Sequence, residues 1–191
     1  DIAITRCWPL MDVIVPADAI EARKATIESG KNTRPTYLRY TREKTPIMTT
    51  YDTPYDPTKI QQFWISDNPV VTIFGTGYML YQAMLAAKEL EAEGIQVIVA
   101  NVVNIKPLYE KTVVELAKKT GALVTIEDHQ VMGGMGSAIA EVLAKEAPTP
   151  MEFVGLQNTF AESGTLKELM KKYYVDKDAV KAAVKKVITR K

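Results

Sequence analysis

The sequence predicts an α/β fold, with three layers around a mostly parallel sheet over residues 70–191, preceded by the tail of another α/β unit. Three observations predict it. From Val70 onward, strand-type and helix-type stretches alternate through short connections, which favours a parallel sheet covered by helices. Strand candidates such as Val70–Phe74 and Leu123–Ile126 are apolar at nearly every position, as strands buried on both faces are. Glycines punctuate the strand-to-helix turns.

The elements follow in order. Met11–Pro16 reads as a short strand. Asp18 then reads as an N-cap with Glu21 as its capping-box partner, opening a helix to about Ser29 that Gly30 ends. Thr36–Tyr40, with β-branched and aromatic residues, reads as a second strand. Residues 1–42 are too few for a stable domain alone. Residues 43–69 hold four of the ten prolines and little periodicity, which predicts an extended linker. Residues 70–191 make the main domain. Val70–Phe74 is its first strand, followed by a helix with Leu80, Ala83, Met84, Ala87 and Leu90 inward, stopped by Gly94. Gln96–Ala100 is a strand, and Pro107 opens a helix that carries Val113, Val114 and Ala117 inward to Gly121. Leu123–Ile126 is a third strand, with a helix after the glycine turn to about Lys145, and Met151–Val154 is a fourth. Thr165 with Glu168 caps one more helix, and Asp176 caps the last, whose stripe is Val180, Val184 and Val187.

Composition narrows the function. The net charge of +1 offers no footprint for nucleic acid and no polybasic membrane anchor. One cysteine, Cys7, precludes an internal disulfide framework or a four-cysteine zinc site, and reads as a small core residue. No apolar run approaches the ~18 residues of a membrane helix. These features fit a cytoplasmic setting. The chain opens on Asp1-Ile2-Ala3-Ile4, already patterned like the inside of a domain, so a processed or incomplete N-terminus is expected.

Few motifs carry chemistry. Phe74-Gly75-Thr76-Gly77 invites a dinucleotide reading and fails it: the third glycine position is Leu80, and the next strand ends on Asn101 rather than an acid. Glu127, Asp128 and the lone His129 are consecutive, so their side chains diverge in an extended segment, and no second imidazole is available for a metal. Gly133, Gly134 and Gly136 suit anion binding or close packing at a helix N-terminus. Packing is favoured because no lysine or arginine lies in the loop. Arg39 and Arg42 fit either phosphate recognition or ordinary ion pairs. The C-terminal lysines Lys181, Lys185, Lys186 and Lys191 read as a solvated face.

The order of landmarks resembles the transketolase family over nearly the whole chain. They are Val13-Ile14-Val15-Pro16-Ala17-Asp18-Ala19 with Glu21-Ala22; Pro35-Thr36-Tyr37-Leu38-Arg39 with Arg42; Ile73-Phe74-Gly75-Thr76-Gly77; Ile105-Lys106-Pro107-Leu108; Glu127-Asp128-His129 with Gly133-Gly134-Met135-Gly136-Ser137-Ala138; and Gly155-Leu156-Gln157-Asn158-Thr159-Phe160 with Ser163-Gly164. The match is nearest to the C-terminal subunits of split transketolases. Deoxyxylulose-phosphate synthases, β subunits of 2-oxoacid dehydrogenases, and a non-catalytic assembly or regulatory module of the same fold stand as alternatives.

The resemblance implies that residues 1–42 end a pyrimidine-binding domain and residues 70–191 form the C-terminal domain. It implies thiamine diphosphate and magnesium in the whole enzyme, used to transfer a two-carbon ketol unit between phosphorylated sugars, with the cofactor bound outside this segment. It carries over Arg42 as the substrate-phosphate arginine, Arg39 as a second candidate, and no catalytic acid or base. His129, Gly133, Gly134, Gly136 and Ser137 would be a subunit-packing surface. The implied partners are a second copy in a homodimer and an N-terminal transketolase subunit.

Overall fold

The computed structural model describes residues 1–191. In chain order the elements are α1 (Ile2–Arg6), β1 (Asp12–Ile14), α2 (Ala19–Ser29), β2 (Thr36–Leu38), β3 (Gln61–Ile65), β4 (Val71–Gly75), α3 (Met79–Ala92), β5 (Val97–Asn101), β6 (Asn104–Lys106), α4 (Glu110–Thr120), β7 (Leu123–Gln130), α5 (Met135–Glu146), β8 (Met151–Leu156), α6 (Leu166–Lys172) and α7 (Lys177–Ile188).

The main sheet has the order β3-β5-β4-β7-β8. All its neighbours are parallel except β3, which pairs antiparallel with β5 at the edge. Side-chain alternation divides the core into two layers. Val71, Ile73, Val97, Val99, Val124 and Ile126 face α3 and α7. Phe74, Ile98, Ala100 and Leu123 face α4 and α5. The α7 stripe of Val180, Val184 and Val187 is buried as expected, each valine contributing about 1.5–3 kcal/mol. Its lysines do more than meet solvent: Lys181 lies 2.8 Å from Glu89 and 2.9 Å from Glu93 on α3, and Lys185 lies 2.7 Å from Glu93.

The small sheet has the order β2-β1-β6. β1 and β2 run parallel, and β6, from the main domain, pairs antiparallel with β1. A strand from much later in the chain thus satisfies backbone groups along the second edge of β1.

Several expectations need correcting. The proline-rich stretch contains β3, so it is not wholly linker; Phe63 and Trp64 pack against the core on the way. β7 runs on through Glu127, Asp128 and His129 to Gln130, because β8 pairs with it as far as Leu156. α4 begins at Glu110, three residues past Pro107. Cys7 is exposed rather than in the core, since α1 turns Ile2 inward and the end of the helix outward. Asp18 caps α2 through the Glu21 N–H, but the Glu21 carboxylate reaches the Ala17 N–H instead of returning to its cap. No helix is long and apolar enough to cross a membrane.

Candidate functional site

The parallel strands deliver two clusters to their carboxyl ends, where open α/β sheets place function. The first is built on the end of β7. Glu127 is fully buried, and its carboxylate accepts the Met135 N–H at 2.6 Å and the Gly136 N–H at 3.1 Å. An acidic group at a helix N-terminus satisfies orphan donors and complements the dipole. The anion that the glycine turn was suited to receive is thus the chain's own Glu127.

His129, two residues on, shares that strand face. Its Nε2 lies 3.0 Å from Glu127 Oε2 but outside hydrogen-bonding alignment. Its Nδ1 donates to the Gln130 carbonyl at 2.8 Å, since a carbonyl can only accept. Asp128 points to the other face, where its Oδ1 accepts Arg39 Nη1 at 2.7 Å. The three consecutive polar residues diverge as strand geometry requires.

The glycines are explained inside the chain. A Cβ on Gly134 would land on Glu127 Oε2 and 2.5 Å from His129 Cε1, and one on Gly136 would lie 2.6 Å from Thr125 Oγ1. Gly133 has φ +75° and packs on Ala3 of α1. Arg6 donates to the Gly133 carbonyl at 2.9 Å and the Gly134 carbonyl at 3.3 Å, and Ser137 Oγ accepts the Gly133 N–H at 2.9 Å. α1 is the neighbour against which this turn packs.

The second cluster lies at the ends of β1 and β2. A cleft of about 470 Å³ opens between Pro16–Ala19 with Ala22 on one side and Tyr40, Thr41 and Glu43–Thr45 on the other. Arg42 stands on that loop with its side chain 95% exposed, touching only Glu43 at 3.4 Å. Arg39 is different: its side chain is 19% exposed and its guanidinium is committed to Asp128 and to Asp1, the latter at 2.9 Å. Of the two arginines, only Arg42 is free to meet a ligand.

Beneath the cleft lies a buried polar knot that sequence reasoning did not find. The Asp18 carboxylate accepts Glu21, Met48 and Thr49 N–H groups and the Thr49 hydroxyl. Burial pulls its pKa up, but those donors outweigh burial and hold it below the usual carboxylate range. Glu21 accepts the Ala17 N–H at 2.7 Å and Asn101 Nδ2 at 2.9 Å. Burial pushes its pKa up to about 7, against the lowering effect of those two donors. Asn101 Oδ1 is buried with no partner. Glu21 was legible only as a capping residue; Asn101, 80 residues away, carried no signal linking the two.

No three His, Cys, Asp or Glu side chains gather closely enough to hold a metal ion.

The family model for the transketolase C-terminal domain matches residues 47–180. The chain belongs to the transketolase family. The match begins within the proline-rich stretch and takes in β3 and the whole main sheet. The chain is 35% identical to the 6-deoxy-6-sulfo-D-fructose transketolase subunit of Clostridium sp. (strain MSTE9), covering all of this chain and 59% of that protein. It is 35% identical to the 1-deoxy-D-xylulose-5-phosphate synthase of Leptothrix cholodnii, over 97% of this chain and 29% of that one. A solved structure described as a split gene transketolase, inactive beta4 tetramer, superposes with a TM-score of 0.94 at 39% identity, over 98% of this chain and 61% of its own. The transketolase-family chain therefore spans about three fifths or less of the length of these relatives.

Proposed function

We propose that this chain is the C-terminal portion of a thiamine-diphosphate-dependent transketolase, which moves a two-carbon ketol unit between sugars that carry a phosphate. The observation that supports this reading, beyond family membership, is the exposed Arg42 guanidinium beside the cleft at the ends of β1 and β2, held only by a 3.4 Å contact to its neighbour Glu43. A planar guanidinium donates two parallel N–H bonds to a phosphate and so fixes the sugar's far end. Lys44, on the wall of the same cleft, adds positive charge.

Thiamine diphosphate, with magnesium, supplies the carbanion chemistry in such an enzyme. The residues here do not fit that group. The glycine turn at the α5 N-terminus is filled by Glu127, and Gly77, in the other glycine turn, is packed under Val15. In this reading the cofactor is held elsewhere in the assembly, in which a second copy and an N-terminal subunit are the partners. The Clostridium relative named as a transketolase subunit and the split gene structure support that organisation.

In the intact enzyme, Arg42→Ala is expected to raise KM about 10- to 100-fold for a phosphorylated sugar, the loss of a charge-assisted bidentate contact. The unphosphorylated sugar should be little affected. Equal effects on both would refute the assignment. The second reading, deoxyxylulose-phosphate synthesis, is favoured by the Leptothrix relative at equal identity, and donor preference in the same assay separates the two.

A further inference from the structure

We propose that Asp128, on the main sheet, positions the substrate-phosphate arginine Arg42 by holding Arg39 across the interface with the small sheet. The proposal rests on the Arg42 reading given above.

The loop that presents Arg42 has few anchors. β2 ends at Leu38, and the Arg39 N–H makes a last ladder-like bond to the Ile14 carbonyl at 2.9 Å. Beyond it, the Tyr40 hydroxyl lies 2.5 Å from Thr26 Oγ1, and the next fixed points are Met48 and Thr49 on Asp18. Arg42 sits in between, so its position depends on how firmly Arg39 and Tyr40 hold the N-terminal side.

Arg39 is held by charge. Asp128 Oδ1 accepts its Nη1 at 2.7 Å and Asp1 Oδ2 accepts its Nε at 2.9 Å. With the Arg39 and Asp128 side chains 19% and 24% exposed, the pair is only partly screened. Asp128 is itself a rigid post. It lies near the end of β7, between Glu127, which is locked into the α5 N-terminus, and His129. The strand alternation that sends Glu127 inward sends Asp128 out toward Arg39. One residue of the main domain therefore reaches 89 positions back to the base of the substrate loop.

The test uses the intact enzyme, with fructose 6-phosphate and fructose as the probe pair. Asp128→Asn keeps the shape and removes the charge. It is expected to raise KM for fructose 6-phosphate about tenfold, the scale of a misplaced contact. Both kcat and the handling of fructose should be nearly unchanged. Arg39→Lys, which retains charge but loses the fork, should shift the same KM in the same direction and by less, and covers the case in which the first variant folds poorly. In an Arg42→Ala background, Asp128→Asn should add nothing further to the fructose 6-phosphate KM. Two results would overturn the proposal: equal effects of Asp128→Asn on both sugars, or multiplicative effects of the Asp128 and Arg42 changes. If Arg42→Ala alone fails to distinguish the sugars, the Arg42 reading falls and this proposal falls with it. If Arg42→Ala distinguishes them and Asp128→Asn does not, only the positioning role is lost.

Discussion

Replacing Glu21 by glutamine should remove the pH dependence that this one side chain imposes on stability. Glu21 is 3% exposed, and its pKa rises from an ordinary 4.5 to about 7, chiefly through burial. At ~1.36 kcal/mol per factor of ten, keeping it ionised inside the fold costs about 3 kcal/mol. Below pH 4.5 the group is protonated in both folded and unfolded chains. Between 4.5 and 7 only the folded chain keeps the proton, so stability falls as pH rises through this window, and above 7 the full cost is present. Asp18 acts in the opposite sense at lower pH: its depressed pKa favours the fold above the ordinary carboxylate value and loses that support as pH falls. The two windows do not overlap. The Glu21→Gln amide can still accept the Ala17 N–H and can donate to Asn101 Oδ1 if that amide turns over. Urea-unfolding midpoints of wild type and Glu21→Gln, taken from pH 4 to 9 at constant ionic strength, provide the assay. The variant should be the more stable of the two at pH 8, with most of the advantage gone by pH 4.5. Parallel profiles across the range would refute the reasoning.

Gly134→Ala should cost about 3 kcal/mol or more, because its methyl drives the Glu127 carboxylate from the α5 N–H groups. Gly94→Ala, where a Cβ meets nothing but φ is +82°, should cost only about 1 kcal/mol in the same thermal-denaturation series; similar losses at the two sites would sink the account of the turn. Glu127→Gln should cost about 2–3 kcal/mol, since the two N–H groups bond different carboxylate oxygens and one of these becomes an NH2 donor, and amide hydrogen exchange at Met135 and Gly136 should quicken. Unchanged exchange at those two amides would show that the carboxylate is not their cap.

The elements that could be read from sequence are those whose signals are local. The caps at Asp18, Thr165 and Asp176, the α3 and α7 stripes and the continuous apolar strands depend on neighbours within one or two turns. β3 and β6 were missed because they are short edge strands whose partners, β5 and β1, supply what their own sequences lack. In the same way β7 extends through four polar residues, Glu127 to Gln130, where β8 pairs with it again at Gln130–Leu156 after a break in register.

The site divides along the same line. Sequence by itself determined the α/β alternation, the family through the order of its landmarks, and two arginines at the end of one strand as candidates. It also determined that Glu127, Asp128 and His129 must diverge, since successive residues of a strand face opposite ways. Only the tertiary structure decided that Arg39 is spent on Asp128 and Asp1 while Arg42 stays exposed, and that the glycine turn receives Glu127. The arginine outcome depends on carboxylates brought within 3 Å from 38 and 89 positions away, and the turn's outcome on the strand end folding back onto the helix that follows it; pairing at that range is set by where the backbone travels.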